Sequence, residues 1–257
     1  MLSKNKIKLI RSLDLKKSRR ATGLFIAEGE KLVTDLIQSG IEISEVLCVE
    51  SLAKDIKRYN STLQVEIVTK NELERISFLK SPSDIVAICK IPEAVIDWAK
   101  IQKELTLVLD EIQDPGNLGT IVRVADWFGI RTIICSENCA DLYNPKVVQS
   151  TMGALSRVKV SYLPLIEFLT LAKQQNIPIY GAYLEGENLY NCKLTENGLL
   201  VVGNEGNGIS ETIAPFISKK LNIPSYPIGV ATSESLNVAS ATSIIVAEFR
   251  SRVEKNK

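Results

Sequence analysis

Residues 107–130 read LVLDEIQDPGNLGTIVRVADWFGI. Leu107, Val108 and Leu109 form a short apolar run without the polar alternation of a half-exposed strand, which is the mark of a strand covered on both faces. Asp114-Pro115-Gly116 is turn chemistry. Asn117 is a good helix N-cap, and Leu118, Ile121, Val122, Ala125 and Phe128 then recur as a helical apolar stripe. Strand, turn and helix in that order predict one α/β unit. The pattern continues outward from it. Strand-like runs stand at 106–110, 132–135, 157–163, 177–184, 199–203 and 220–224, most of them separated by helical patterns. Apolar strands alternating with helices predict a mostly parallel sheet with both faces covered. In such sheets ligands sit beyond the carboxyl ends of the strands, so the loops after LVLD, LLVVG and LNIP are the places to look.

The first ninety or so residues have a different rhythm. LFIAEG (24–29) reads as a strand, and EKLVTDLIQSG (30–40) as an amphipathic helix stopped by Gly40. SEVLCV, QVEIV and DIVAICKI read as further strands. This half is a small α/β domain, joined to the rest near IPEAVIDWAKIQKEL (91–105).

The 257 residues carry a net charge of +1, so the molecule as a whole is no polycation. The charge is uneven, however. Residues 1–20 hold Lys4, Lys6, Lys8, Arg11, Lys16, Lys17, Arg19 and Arg20 against the single acid Asp14. A basic arm on a near-neutral body fits either a polyanionic partner or a solvated, partly frayed terminus. No apolar run is long enough to span a bilayer and none reads as a signal peptide. Five cysteines without a CxxC pair do not make a disulfide framework, and a reducing cytoplasm fits them. Histidine is absent, which removes Ser-His-Asp and Cys-His catalysis and histidine metal sites. Any chemistry falls to Arg, Lys, Asn, Ser, Tyr or carboxylates.

In GNEGNG (203–208) the glycines are spaced GxxGxG. This is neither the dinucleotide fingerprint GxGxxG nor a P-loop, and Glu205 would repel a phosphate. A backbone bared in this way suits a neutral or cationic ligand. A plain strand-to-helix turn, with Ile209-Ser210 opening the helix, fits as well. On the 117–128 helix, Thr120, Arg123 and Trp127 share a face. Arg123 is then either a surface arginine stacked on Trp127 or a guanidinium aimed at a ligand. Asp110, Glu111 and Asp114 suggest a metal site only weakly, because oxygen ligands cluster in many turns; no metal is expected. In the third loop, Ser235-Leu236-Asn237 stands at the start of a helix, followed by the small residues 239–243. Small side chains let a helix press against another backbone, a cofactor or a second subunit.

Taken together, DPGNLGTIVRVADWFG (114–129), LLVVGNEGNGIS (199–210) and IP (223–224) with ESLNVASA (234–241) downstream resemble, in that order, the three motifs of the SpoU (TrmH-type) RNA ribose 2′-O-methyltransferases, a branch of the SPOUT superfamily. RRATGLFIAEGEKLVTDLIQSG (19–40) is similar to the start of the substrate-binding domain that many members carry, a fold like that of small RNA-binding ribosomal proteins. The resemblance implies an RNA substrate-binding domain over 1–95 and a catalytic domain over 104–257. The latter would have a parallel sheet and a C-terminal trefoil knot, which sequence rules alone would not suggest. It implies S-adenosylmethionine as cofactor, held by Gly203, Asn204, Glu205, Gly208, Ile223 and Leu236. Arg123, Asn117, Ser235, Asn237 and Glu205 are the implied active-site set. Lys16, Lys17, Arg19 and Arg20 would grip RNA phosphates. A homodimer through the C-terminal domain is implied too, with the small-residue helix as a candidate contact. The substrate is expected to be structured RNA, ribosomal rather than transfer RNA. The rivals are a tRNA ribose methyltransferase, a base methyltransferase of the same superfamily, and a silent RNA-binding protein that would have lost the polar set. An oxidoreductase would need the missing GxGxxG. The segment between IP and SLN is longer than in many members.

Overall fold

The apolar runs of the C-terminal half pair into one six-stranded sheet in the order β10-β8-β9-β5-β6-β7, with every neighbouring pair parallel. The strands are β5 (Leu105–Leu109), β6 (Thr132–Cys135), β7 (Lys159–Tyr162), β8 (Ile179–Asn188), β9 (Gly198–Val202) and β10 (Lys219–Asn222). The computed structural model describes residues 1–93, 95–227, 230–231 and 233–255. The two central strands, β5 and β9, are buried along their whole length, in keeping with sequences that are apolar but for Thr106. On one face, Phe168, Leu169 and Ala172 of α9 (Leu165–Gln174) pack with Val108, Ile134, Leu199 and Val201. On α7 (Pro115–Trp127) the apolar stripe Leu118, Ile121, Val122 and Ala125 is fully buried. α10 (Val238–Lys255) lies beside it. Asn237 meets Asn117 at one end of the pair, and Arg250 Nε donates to the Phe128 carbonyl (2.8 Å) at the other, so the two helices run parallel.

Three departures from the sequence expectations concern the sheet and its loops. Asp114, not Asn117, caps α7: its carboxylate accepts the Asn117 N–H at 2.7 Å. Pro115 then takes the first helical position, where a missing N–H leaves no donor unpaired. No α-helix opens at Ile209-Ser210. The chain turns there and forms only a 3-10 turn at Ala214–Phe216. A helix from Ile209 would carry Pro215 in its interior, without a donor and against a carbonyl. Finally, β8 runs to Asn188 rather than 184, because a register shift at Lys220/Leu221 lets β10 pair with its far end.

The other compact unit comprises Met1–Glu93 and Asp141–Arg157; the remainder, Ala94–Ala140 and Val158–Lys257, holds the parallel sheet and the short α6 (Trp98–Ile101). The basic arm is no frayed tail. It forms α1 (Lys4–Ser12) and α2 (Lys16–Thr22), with Ile10 and Leu13 fully buried. A mixed sheet β1-β4-β2-β3 follows, built from β1 (Leu24–Glu28), β2 (Ile43–Cys48), β3 (Val65–Ile67) and β4 (Ile85–Lys90). Its helices are α3 (Glu30–Ser39), closed by a left-handed Gly40, α4 (Glu50–Tyr59) and α5 (Lys70–Ile76). A Thr69–Glu72 capping box starts α5, and Glu72 also accepts the Leu2 N–H at 2.6 Å. These backbone hydrogen bonds, from Thr69 first and Leu2 second, hold the Glu72 carboxyl at about 2. Residues 141–157, which the sequence division grouped with the C-terminal half, pack here through α8 (Pro145–Ser150) against β1, with Tyr143 4.8 Å from the Phe25 ring. All five cysteines are buried and free.

Candidate active site

The exits of β5 and β9 and the start of α10 converge. At the end of β9 a Cβ on Gly203 would lie 2.1 Å from the Gly208 carbonyl carbon and 2.2 Å from the Ile209 nitrogen, so only glycine fits. Asn204 and Gly208 exchange backbone hydrogen bonds at 2.9 Å in both directions. The Asn204 side-chain oxygen accepts the N–H groups of Gly206 (2.9 Å) and Asn207 (3.1 Å), closing the loop into a tight turn. Glu205 projects from that turn into solvent.

Glu205 accepts from Asn117 Nδ2 at 2.9 Å and from the Asp114 N–H at 3.4 Å. Asn117 Oδ1 in turn accepts from Asn237 Nδ2 at 2.9 Å. Asn237 caps α10 with its own oxygen, taking the Ala239 (3.0 Å) and Ser240 (3.2 Å) N–H groups. Three residues spanning 120 positions of sequence are thus stitched into one polar chain. Arg123 lies six residues beyond Asn117, about 9 Å along the helix axis. It is exposed and has no hydrogen-bond or ion-pair partner among the described residues. Ser235 is likewise exposed and unbonded, beside Asn237. Ile223 is half-buried and Leu236 exposed. The loop carrying Leu236 includes Ile228, Gly229 and Thr232, which lie outside the described residues.

The acids of the β5 exit do not form a ligand set. Asp110 is buried and accepts the Ser210 N–H (2.8 Å), Asp114 caps α7, and Glu111 accepts from Asn138 Nδ2 (2.9 Å). Beneath them Cys139 Sγ accepts the Ile112 N–H at 3.3 Å. Its thiol is held at about 7, first by a hydrogen bond with Cys135 and against the opposing effect of burial. Sequence reading passed over Asn138 and saw Glu111 only as a metal candidate. The signal was conformational: Glu111 has φ +58°, which composition cannot show.

In the other unit the basic arm divides. Lys16, Lys17 and Arg20 are exposed. Arg19 corrects the expectation of a phosphate contact. It is 2% exposed, binds Asp141 Oδ2 through NH2 (2.6 Å) and Nε (3.1 Å), and gives NH1 to the Leu13 and Asp14 carbonyls (2.7 Å each). Lys6 is also committed, to Glu45 (2.7 Å) and Glu66 (2.6 Å). Partial burial pulls its pKa down, and those two partners outweigh it to push the ammonium up.

Residues 104–247 match the SpoU rRNA Methylase family, and residues 4–87 match the MRM3-like substrate binding domain. The chain belongs to the SpoU rRNA methylase family. It is 31% identical over 250 residues to a Bacillus subtilis 23S rRNA (guanosine(2553)-2′-O)-methyltransferase, covering 95% of this chain and 96% of that one. Among solved structures, a TrmH-family protein from Porphyromonas gingivalis superposes with a TM-score of 0.88 at 38% identity, covering 98% of this chain and 99% of the other. An AdoMet-bound rRNA methyltransferase from Sinorhizobium meliloti gives 0.88 at 26% identity, covering 98% and 97%. The three SpoU motifs are the three segments that the Glu205–Asn117–Asn237 chain ties together.

Proposed function

We propose that the chain transfers a methyl group from S-adenosylmethionine to a ribose 2′-hydroxyl of ribosomal RNA. The observation that carries this reading is the Glu205–Asn117–Asn237 network, which joins the family's three motifs across the ends of the parallel sheet. The GNEGNG turn fits the cofactor: it offers exposed backbone at Gly206 and Gly208, a carboxylate suited to a cation, and no phosphate-binding lysine. Gly203, Asn204, Glu205, Gly208, Ile223 and Leu236 would hold it, and the cofactor supplies an electrophilic methyl on a sulfonium.

The chain's own task is to place the ribose hydroxyl and stabilise the oxygen as its proton passes to solvent water. A guanidinium holds its proton far above neutral pH and is a poor base. Arg123 therefore acts as an electrostatic clamp on the developing alkoxide, having no hydrogen-bond or ion-pair partner among the described residues. Asn117, Asn237 and Ser235 orient it and the ribose, and Glu205 holds Asn117. Positioning and charge stabilisation then supply most of the rate.

The N-terminal unit, over residues 1–95, acts as the RNA substrate-binding domain, with Lys16, Lys17 and Arg20 as phosphate contacts. The names of the relatives favour ribosomal over transfer RNA. The catalytic domain, over 104–257, pairs in a cytoplasmic homodimer. Trp127, 85% exposed on the face of α7 that also carries Arg123, supports a second copy completing the site. Ala239 and Thr242 are buried within the chain, which leaves Ser240 as the outward small residue of that stripe. The trefoil knot belongs to the same reading, supported by the SpoU family match over residues 104–247. No helix among the described residues is long and apolar enough to cross a membrane.

Transfer of labelled methyl from S-adenosylmethionine to unmodified total RNA tests the reading. Recovery of the label as a 2′-O-methyl nucleoside of ribosomal RNA is the expected result. Label on a base, or on transfer RNA alone, overturns the ribose or the ribosomal claim respectively. Absence of cofactor binding by calorimetry overturns the enzyme reading.

A further inference from the structure

Glu111 sits at the carboxyl end of β5 in a left-handed conformation, φ +58°, that a residue with a Cβ rarely adopts. Its backbone N–H, its carbonyl and one carboxylate oxygen are all engaged. Its N–H donates to Ser136 Oγ (2.9 Å), its carbonyl accepts from Asn204 Nδ2 (2.8 Å), and its carboxylate accepts from Asn138 Nδ2 (2.9 Å). The next residue repeats the pattern: Ile112 N–H donates to Cys139 Sγ (3.3 Å) and its carbonyl accepts the Ala140 N–H (2.8 Å). The exits of β5, β6 and β9 are therefore fastened at one point. The left-handed turn is what aims the Glu111 carbonyl at Asn204. Asn204 in turn holds the backbone of Gly206 and Asn207, and so fixes where Glu205 meets Asn117.

We propose that Glu111, locked by Asn138, is a positioning residue that sets the Asn117–Glu205 pair for catalysis. It touches none of the reacting groups and acts through Asn204. The proposal rests on the methyltransferase reading for its kinetic consequence, and on the geometry alone for its structural one. A hydrogen bond between exposed side chains contributes little to stability, so a purely structural role predicts almost no effect when Asn138 is truncated. A positioning role predicts a fall in kcat without a matching loss of binding.

The test uses the full chain with Asn138→Ala, Glu111→Gly and Glu111→Gln. Two quantities are read: the side-chain amide resonance of Asn117, assigned by its disappearance in Asn117→Asp, and steady-state methyl transfer. Asn138→Ala and Glu111→Gly should both shift the Asn117 amide and lower kcat about tenfold, with KM for cofactor and RNA within about twofold. Glu111→Gln keeps an acceptor for Asn138 and should stay close to the parent in both readouts. Glycine also relieves the left-handed backbone, so Glu111→Gly should melt no lower than the parent while working more slowly. That opposition of sign separates positioning from loss of fold. An Asn117 amide unmoved in both Asn138→Ala and Glu111→Gly overturns the proposal, as does an unchanged kcat in an active enzyme. A shifted amide in a protein whose parent methylates no RNA leaves the structural coupling standing and sinks the activity reading instead.

Discussion

Arg19 on α2 and Arg123 on α7 carry the same guanidinium to opposite ends. Arg19 lies in a run of four basic residues within five positions and is buried, its donors spent on Asp141 and two backbone carbonyls. Arg123 has no basic neighbour in the chain, stands in solvent and has no partner among the described residues. Charge density in the sequence points to the first as a ligand-gripping residue, while the structure leaves only the second available. A charge is available to a ligand where its surroundings leave it unsatisfied. Burying an arginine is tolerable only when every donor it can place is used.

The sharpest break of this contrast is Arg123→Ala. Methyl transfer should fall by about 10² to 10³, the usual range for a lost electrostatic donor, with the unfolding midpoint unchanged. A mutant that still works would remove the functional half of the comparison. Arg19→Ala should do the reverse. It leaves Asp141 without its counter-charge and should lower stability in urea by about 3–5 kcal/mol. A loss under about 1 kcal/mol would reduce the pair to the worth of a surface bridge.

A smaller effect is expected from the basic residues that remain free. Replacing Lys16, Lys17 and Arg20 together with Ala should flatten the salt dependence of RNA binding, lowering the log–log slope by roughly 2 to 3. An unchanged slope would place the phosphate contacts elsewhere. The smallest effect contrasts two carboxylates, Glu205 bonded to a side-chain amide and Glu72 bonded to backbone. Glu72 is held at about 2, below the usual carboxylate value of about 4.3, so its contribution is complete above that value and is lost as pH falls toward 2. Glu72→Gln should therefore flatten the pH dependence of stability between roughly pH 4.3 and 2, measured by denaturant unfolding. A profile that keeps its slope assigns the acid sensitivity to other groups.

Much of the fold is legible because its signals are local. β6 matches its expected bounds, 132–135, and the buried stripe of α7 is the one that helical spacing picks out as far as Ala125, while Phe128 is half-buried just past the helix end. Misplaced boundaries arise where a distant partner decides. Nothing in the sequence around Ile209 says that Asp110, a hundred residues earlier, will take the Ser210 N–H and hold the chain in a turn. Asn117 looks like a cap because it is an asparagine in the right setting. Asp114, three residues earlier, has the better geometry and frees Asn117 to reach Glu205.

By itself the sequence determined that the C-terminal half forms a covered parallel sheet with its site at the strand ends. It excluded histidine chemistry, and it spelled a glycine loop that is neither the dinucleotide fingerprint nor a P-loop. Those properties follow from residue type, order and periodicity, which are local. Only the tertiary structure decided which of the basic residues are free, that Asn117, Glu205 and Asn237 form one chain, and that Glu111 turns left-handed to fasten three loops. Burial and pairing depend on residues far away in sequence, and a side chain's chemistry is set by the partners that folding brings to it.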